Sequence, residues 1–98
     1  MANTLTVIAR LTAQPGAAEQ LQDHITQMVL SSRAEKGCIR YVLKRGVDDP
    51  NVFILVEEWR SRAAWDTHLT GKAITTFRAS VPEGMIISRE VHPLTTVA

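Results

Sequence analysis

The sequence predicts one α+β domain in the order strand–helix–strand–strand–helix–strand, and three observations carry that prediction. Four short runs are rich in β-branched and apolar residues. Two longer stretches, after the first and third runs, space their apolar residues by three and four. Pro, Gly, Asp and Asn gather at most of the joins between them. A chain of 98 residues has room for one core, so residues 1–98 are expected to form a single domain.

Residues 5–11 (LTVIARL) read as the first strand, closed by Gln14-Pro15-Gly16. From Ala17 to about Glu35, the residues Ala18, Leu21, Ile25, Met28, Val29 and Ser32 form one helical face. Glu19, Gln20, Asp23, Gln27 and Arg33 fill the other. Lys36-Gly37 stops this helix, with a cation near the last turn and glycine at the expected left-handed position. Residues 38–45 (CIRYVLKR) alternate, with Ile39, Tyr41 and Leu43 on one face and Arg40, Val42 and Lys44 on the other. The turn Gly46-Val47-Asp48-Asp49-Pro50-Asn51 joins them to residues 52–59 (VFILVEEW) in a hairpin with a longer loop.

Ser61 is placed to cap a second helix whose early turns hold Ala63, Ala64, Trp65, His68 and Leu69. Gly71 breaks or kinks it, and residues 72–80 continue as helix with Ile74 and Phe77 three apart. After the turn Val81-Pro82-Glu83-Gly84, residues 85–92 (MIISREVH) form the last strand, and Pro93 is expected to end it. The order βαββαβ is the ferredoxin-like arrangement, a four-stranded, mainly antiparallel sheet with its helices on one face.

Composition excludes several classes. Lys and Arg number 11 against 10 Asp and Glu with no basic cluster, so no nucleic-acid surface is expected. No apolar stretch approaches the roughly 18 residues of a membrane span, and the start lacks the basic and apolar regions of a leader. No membrane partner is expected, and the expected location is cytoplasmic. Cys38 is the only cysteine and reads as a packing residue. His24, His68 and His92 have no partners at metal-ligand spacing, so no metal is expected, and His24 and His92 read as structural.

The third strand is apolar on both faces, Phe53 and Leu55 on one and Val52, Ile54 and Val56 on the other. The first strand sets Leu5, Val7, Ala9 and Leu11 against a face containing Ile8. The helices can cover only one side of the sheet. A second copy packing sheet against sheet would cover the other, so a homodimer is expected.

Three stretches together resemble the antibiotic biosynthesis monooxygenase domain family. They are Val7-Ile8-Ala9-Arg10-Leu11 with Pro15-Gly16; Glu35-Lys36-Gly37-Cys38-Ile39-Arg40-Tyr41; and residues 53–69, with Glu57, Trp59, Ala64 and His68-Leu69 at the family's spacing. Phe77 falls where the family tends to carry an aromatic residue. The resemblance implies a dimeric α+β barrel, with sheets face to face and a pocket between sheet and helices in each subunit. It also implies a choice among activities: cofactor-free oxygenases of quinols or anthrones, haem-degrading enzymes, and a sugar-phosphate isomerase. The resemblance does not extend to the three key positions of the haem-degrading branch, so haem degradation is not expected. Ala9 stands in place of its Asn, His68 in place of its Trp, and Arg78 near the place of its His. Ala73 stands where quinol-oxygenase-like members often carry a second His.

His68 is therefore the candidate catalytic residue. An imidazole can take a proton from a phenolic substrate near neutral pH, and the resulting electron-rich anion can reduce dioxygen. The bland alternative is a histidine packed beside Trp65 and holding a backbone carbonyl. Trp59, Trp65, Tyr41, Phe77 and Arg78 are the candidate substrate-binding residues. Trp59 is expected at the pocket rim, Tyr41 as a hydrogen-bond donor, and Phe77 and Arg78 on a covering helix. Core packing also suits both tryptophans and is the preferred reading for Trp65, and a solvated arginine is the preferred alternative for Arg78. Glu57 and Glu58 point to opposite faces, so they are not a paired acid–base set. Glu57 reads as a carboxylate paired with Arg10 or Arg89, or else as a pocket base. The expected partners are a small aromatic molecule, dioxygen and a second copy of the chain. The alternatives are a proton-transferring isomerase using the same histidine and a ligand-binding dimer without turnover.

Overall fold

A computed structural model describes residues 3–98. The elements are β1 (Leu5–Ala13), α1 (Ala18–Arg33), β2 (Cys38–Arg45), β3 (Val52–Trp59), α2 (Arg62–Leu69), α3 (Lys72–Ser80) and β4 (Ile86–Leu94). The strands form one antiparallel sheet in the order β2-β3-β1-β4, the ferredoxin-like α+β fold read from the sequence. The three helices cover one face. No helix among the described residues is long and apolar enough to cross a membrane.

Alternation decides which side chains meet the helices. Val7, Ala9, Leu11 and Ala13 of β1 and Phe53, Leu55, Glu57 and Trp59 of β3 point inward, where they are buried. Against them lies the apolar stripe of α1, in which all six residues expected inward are buried. The interruption at Gly71 is real: Gly71 is the N-cap of α3, and Ser61 caps α2 by accepting a hydrogen bond from the Ala64 N–H at 3.1 Å. Capping by a serine side chain is worth about 1 kcal/mol.

Three local expectations are corrected. The register of β2 against β3 shifts between Cys38 and Arg40, so Ile39 occupies a bulge and stays exposed instead of sharing the inward face of Tyr41. Pro93 does not end β4; it lies within it. That is tolerated because β4 is an edge strand whose outer side needs no ladder hydrogen bond.

Gly37 does not adopt the left-handed conformation, which among the described residues belongs to Gly16 and Gly84. Its smallness serves a different purpose. A Cβ there would lie 2.3 Å from Cβ of Ala64, so the loop after α1 can lie directly on α2 only because residue 37 has no side chain. The Gly37 carbonyl accepts from the Arg60 N–H at 2.9 Å and the Glu35 carbonyl from the Cys38 N–H at 3.0 Å, fixing the loop. This close approach brings residue 35 to residue 68.

Candidate active site

Between α1, α2, α3 and the inner face of the sheet is a cavity with about 80 Å³ open to the centres of water-sized molecules. Its lining is mainly apolar, with Leu11, Leu55, Trp65, Ile74 and Phe77 prominent. Tyr41, Glu57 and His68 are grouped at one end, and Arg78 and Arg89 also reach it.

His68 is the centre of the polar end. Its residue is 1% exposed, and its Nδ1 lies 2.8 Å from Glu35 Oε1. With Glu35 as a carboxylate, Nδ1 carries the proton and donates it, leaving the Nε2 lone pair as the basic site. The ring packs against Trp59 with centroids 4.5 Å apart and against Tyr41 at 5.5 Å. The sequence alternative of Trp65 and a backbone carbonyl as its companions is thus replaced by Trp59, Tyr41 and Glu35. Burial lowers the His68 pKa below its ordinary value; the hydrogen bond and charge of Glu35 oppose that but do not overcome it. His68 is therefore neutral, and able to accept a proton, at pH 7.

Glu57 is buried beside it on β3. The expected ion pair with Arg10 or Arg89 does not form. Arg10 alternates to the opposite face and meets Glu90 at 3.4 Å, and Arg89 makes no ion pair among the described residues. The partner of Glu57 is instead the Trp59 indole N–H, which donates to Oε1 at 2.9 Å. Burial pushes the Glu57 carboxyl up to about 7, while hydrogen bonding from Trp59 and then Tyr41 pulls it back. Burial, then the charge of Glu57, holds the Tyr41 phenol well above its ordinary value, so Tyr41 remains a neutral hydroxyl.

Of the residues singled out from sequence, Tyr41, Trp65, His68, Phe77 and Arg78 line the cavity. Trp59 does not. It is 0% exposed and lies behind the cavity wall, supporting His68 through its ring face and Glu57 through its N–H instead of forming the rim. Arg78 is exposed. Two participants escaped the reading. From sequence Glu35 is legible only as part of a motif, and the signal for its close packing is its motif partner Gly37. Arg89 was seen only as a possible counterion. Cys38 packs against the core with its thiol pKa raised by burial, in keeping with a packing role. Among the described residues no group of three His, Cys, Asp or Glu could hold a metal.

Comparison with known proteins adds a family. The family model for antibiotic biosynthesis monooxygenase matches residues 4–80. Rv0793 of Mycobacterium tuberculosis, named as a candidate monooxygenase, is 34% identical over 91 residues, covering 93% of this chain and 87% of that protein. The crystal structure of PA3566 from Pseudomonas aeruginosa superposes with a TM-score of 0.91 at 34% identity, covering 100% of this chain and 98% of that one. A crystal structure titled antibiotic biosynthesis monooxygenase gives 0.87 at 28% identity, covering 96% and 99%.

Proposed function

The chain belongs to the antibiotic biosynthesis monooxygenase family, and from that premise we propose that it is a cofactor-independent monooxygenase of a small quinol- or anthrone-like aromatic substrate. The observation that carries this reading is a buried, neutral histidine, oriented by Glu35 at 2.8 Å, at one polar end of a mainly apolar cavity.

Trp65 and Phe77 offer flat apolar surface to the ring, and the Tyr41 hydroxyl can donate to a substrate oxygen. His68 takes a proton from the acidic C–H or O–H of the substrate. The resulting anion passes one electron to dioxygen, giving a substrate radical and superoxide. Their recombination makes the new C–O bond, and the peroxide anion takes the proton back from His68. For an anthrone-like CH2 the hydroperoxide then loses water as its O–O bond breaks. The balance is CH2 plus O2 to C=O plus H2O, with the substrate as the only reductant. The apolar stretch of Leu11, Leu55, Trp65, Ile74 and Phe77 beside His68 favours a charge-spread anion over a localised one.

Glu35 also lines an outer groove with Lys36, Arg60 and Thr67, on the other side of α2 from the cavity. The pair His68–Glu35 thus reaches from the cavity to the outer groove, and the carboxylate stabilises the imidazolium that His68 becomes while it holds the substrate proton. The proposed assembly is a homodimer through the outer sheet face, supported by the half-buried Ile8, Val42, Ile54 and Val56 there.

Oxygen uptake with a panel of quinols and anthrones tests the chemistry. Wild type should exceed buffer, and His68→Ala should lower the rate by roughly 10²–10⁴-fold, the usual contribution of a general base. Wild-type uptake no greater than buffer across the panel would remove the oxygenase reading; equal rates would remove only the role of His68. Sedimentation should give twice 10.9 kDa, and a mass near 10.9 kDa at micromolar concentration would remove the dimer.

A further inference from the structure

The cavity has a second polar feature that the acid–base chemistry does not use. Arg78 follows Phe77 on α3, and Arg89 stands on the edge strand β4 opposite Leu11; both line the cavity and the groove that adjoins it. Arg10, Arg45 and Arg62 each hold a carboxylate, whereas neither Arg78 nor Arg89 makes an ion pair or a side-chain hydrogen bond among the described residues. Glu83 shares the adjoining groove but pairs with neither.

Register separates this cationic feature from the acid–base end. Glu57 pairs with Val7, and Arg89 pairs with Leu11 on the far side of β1. Arg89 is therefore two strands over and four residues along, which puts its Cα roughly 16 Å from that of Glu57 at ordinary strand spacings. Between them lies the apolar stretch of Leu11, Leu55, Phe77 and Val91. A neutral hydrocarbon needs no cations there. Two guanidiniums from different elements at one opening match an oxyanion, which each can grip with two N–H groups.

We propose that the substrate carries an anionic substituent, carboxylate or phosphate, on the part of its aromatic skeleton remote from the reacting position, and that Arg78 and Arg89 bind it. This rests on the reading of the cavity as an aromatic-substrate site. It makes the two arginines specificity determinants, acting on which ring system enters and in which direction. A substrate held this way presents its reactive edge to His68, since the anion cannot be buried at the apolar centre.

Calorimetric titration of the intact protein tests this without turnover. The probes are a hydroxynaphthoate with hydroxyl and carboxylate on opposite rings, the naphthol lacking the carboxylate, and a naphthyl phosphate. The two anions should bind about tenfold or more tighter than the naphthol at low salt, the effect expected of charge-assisted hydrogen bonds. High salt, and Arg78→Gln with Arg89→Gln, should abolish that difference. Circular dichroism of the variants reports whether they fold as wild type does. A preference for one anion over the other identifies the group the site selects. Equal binding of naphthol and anions overturns the anionic proposal and leaves the aromatic site standing. Binding of none of the three overturns both, and binding of a pentose phosphate tighter than any of them overturns the aromatic half.

Discussion

On the helix-covered face of the sheet, Val7, Phe53 and Trp59 are wholly withdrawn from solvent. On the opposite face of the same sheet Ile8, Val42, Ile54 and Val56 stay only half-buried. Both sets are apolar, so hydrophobicity does not distinguish them; the supply of covering elements does. The inner face is completed by the chain's own helices, and it is there that burial displaces the acid–base behaviour of His68 and Glu57. The outer face carries the ion pair Arg10–Glu90, which a single chain leaves in water. A finished core is what shifts the titration of His68 and Glu57, and the uncovered apolar face is what the proposed dimer would close.

The largest expected contrast comes from truncating one residue on each face. Trp59→Ala should cost about 3–5 kcal/mol, the range for deleting a buried aromatic side chain. It also removes the support of His68 and the donor to Glu57. Ile54→Ala, at a half-buried position, should cost about 1 kcal/mol in the isolated chain. Urea unfolding at low protein concentration measures both. Equal costs would mean the outer face is already packed within one chain.

A second experiment concerns the inner face alone. The Glu57 carboxyl is raised from 4.5 to about 7, so between those values the folded state holds more protons than the unfolded one, and stability falls as pH rises through that window. His68 has the opposite sign: its lowered pKa makes the unfolded state the better proton binder, so stability falls as pH drops below its ordinary 6.5. Glu57→Gln retains an acceptor for the Trp59 N–H and cannot ionise. Relative to wild type it should gain up to about 3 kcal/mol between pH 5 and pH 8, at 1.36 kcal/mol for each unit of displacement. A difference independent of pH would mean that Glu57 ionises as an exposed carboxyl does.

The two faces also differed in how much the sequence disclosed. Period-two alternation in β3 and the stripe of α1 fixed which residues face inward, because those patterns register burial directly. Ser61 and Gly71 marked helix boundaries through local chemistry, whereas the bulge at Ile39 and the continuation of β4 past Pro93 depend on neighbouring strands. At the site, His68 was legible through the resemblance. Its link to Glu35 was not, because 33 positions separate them and the contact depends on how closely the loop at Gly37 packs on α2. Trp59 was misplaced at the rim because alternation gives the face of a strand residue but not its depth beneath a helix.

The smallest expected effect lies on the outer face and bears most directly on whether that face stays open. Arg10 Nη1 and Glu90 Oε2 are 3.4 Å apart, with side chains 47% and 49% exposed, and His92 Nε2 lies 3.3 Å from the other Glu90 oxygen. An exposed pair of this kind contributes about 0–1 kcal/mol, because water solvates each charge nearly as well. Arg10→Gln should then change the unfolding free energy by less than about 0.5 kcal/mol wherever the chain is single. Covering the face with a second copy removes water from the cluster, and deleting the cation then strands a carboxylate in a dry interface, a cost of several kcal/mol. The proposed dimer therefore predicts that the effect of Arg10→Gln grows with protein concentration, while that of Trp59→Ala does not. Unfolding of both variants across a hundredfold range of concentration measures the difference. A small, concentration-independent cost for Arg10→Gln would place Arg10 and Glu90 outside any interface, leaving Ile8, Val42, Ile54 and Val56 half-buried for some other reason.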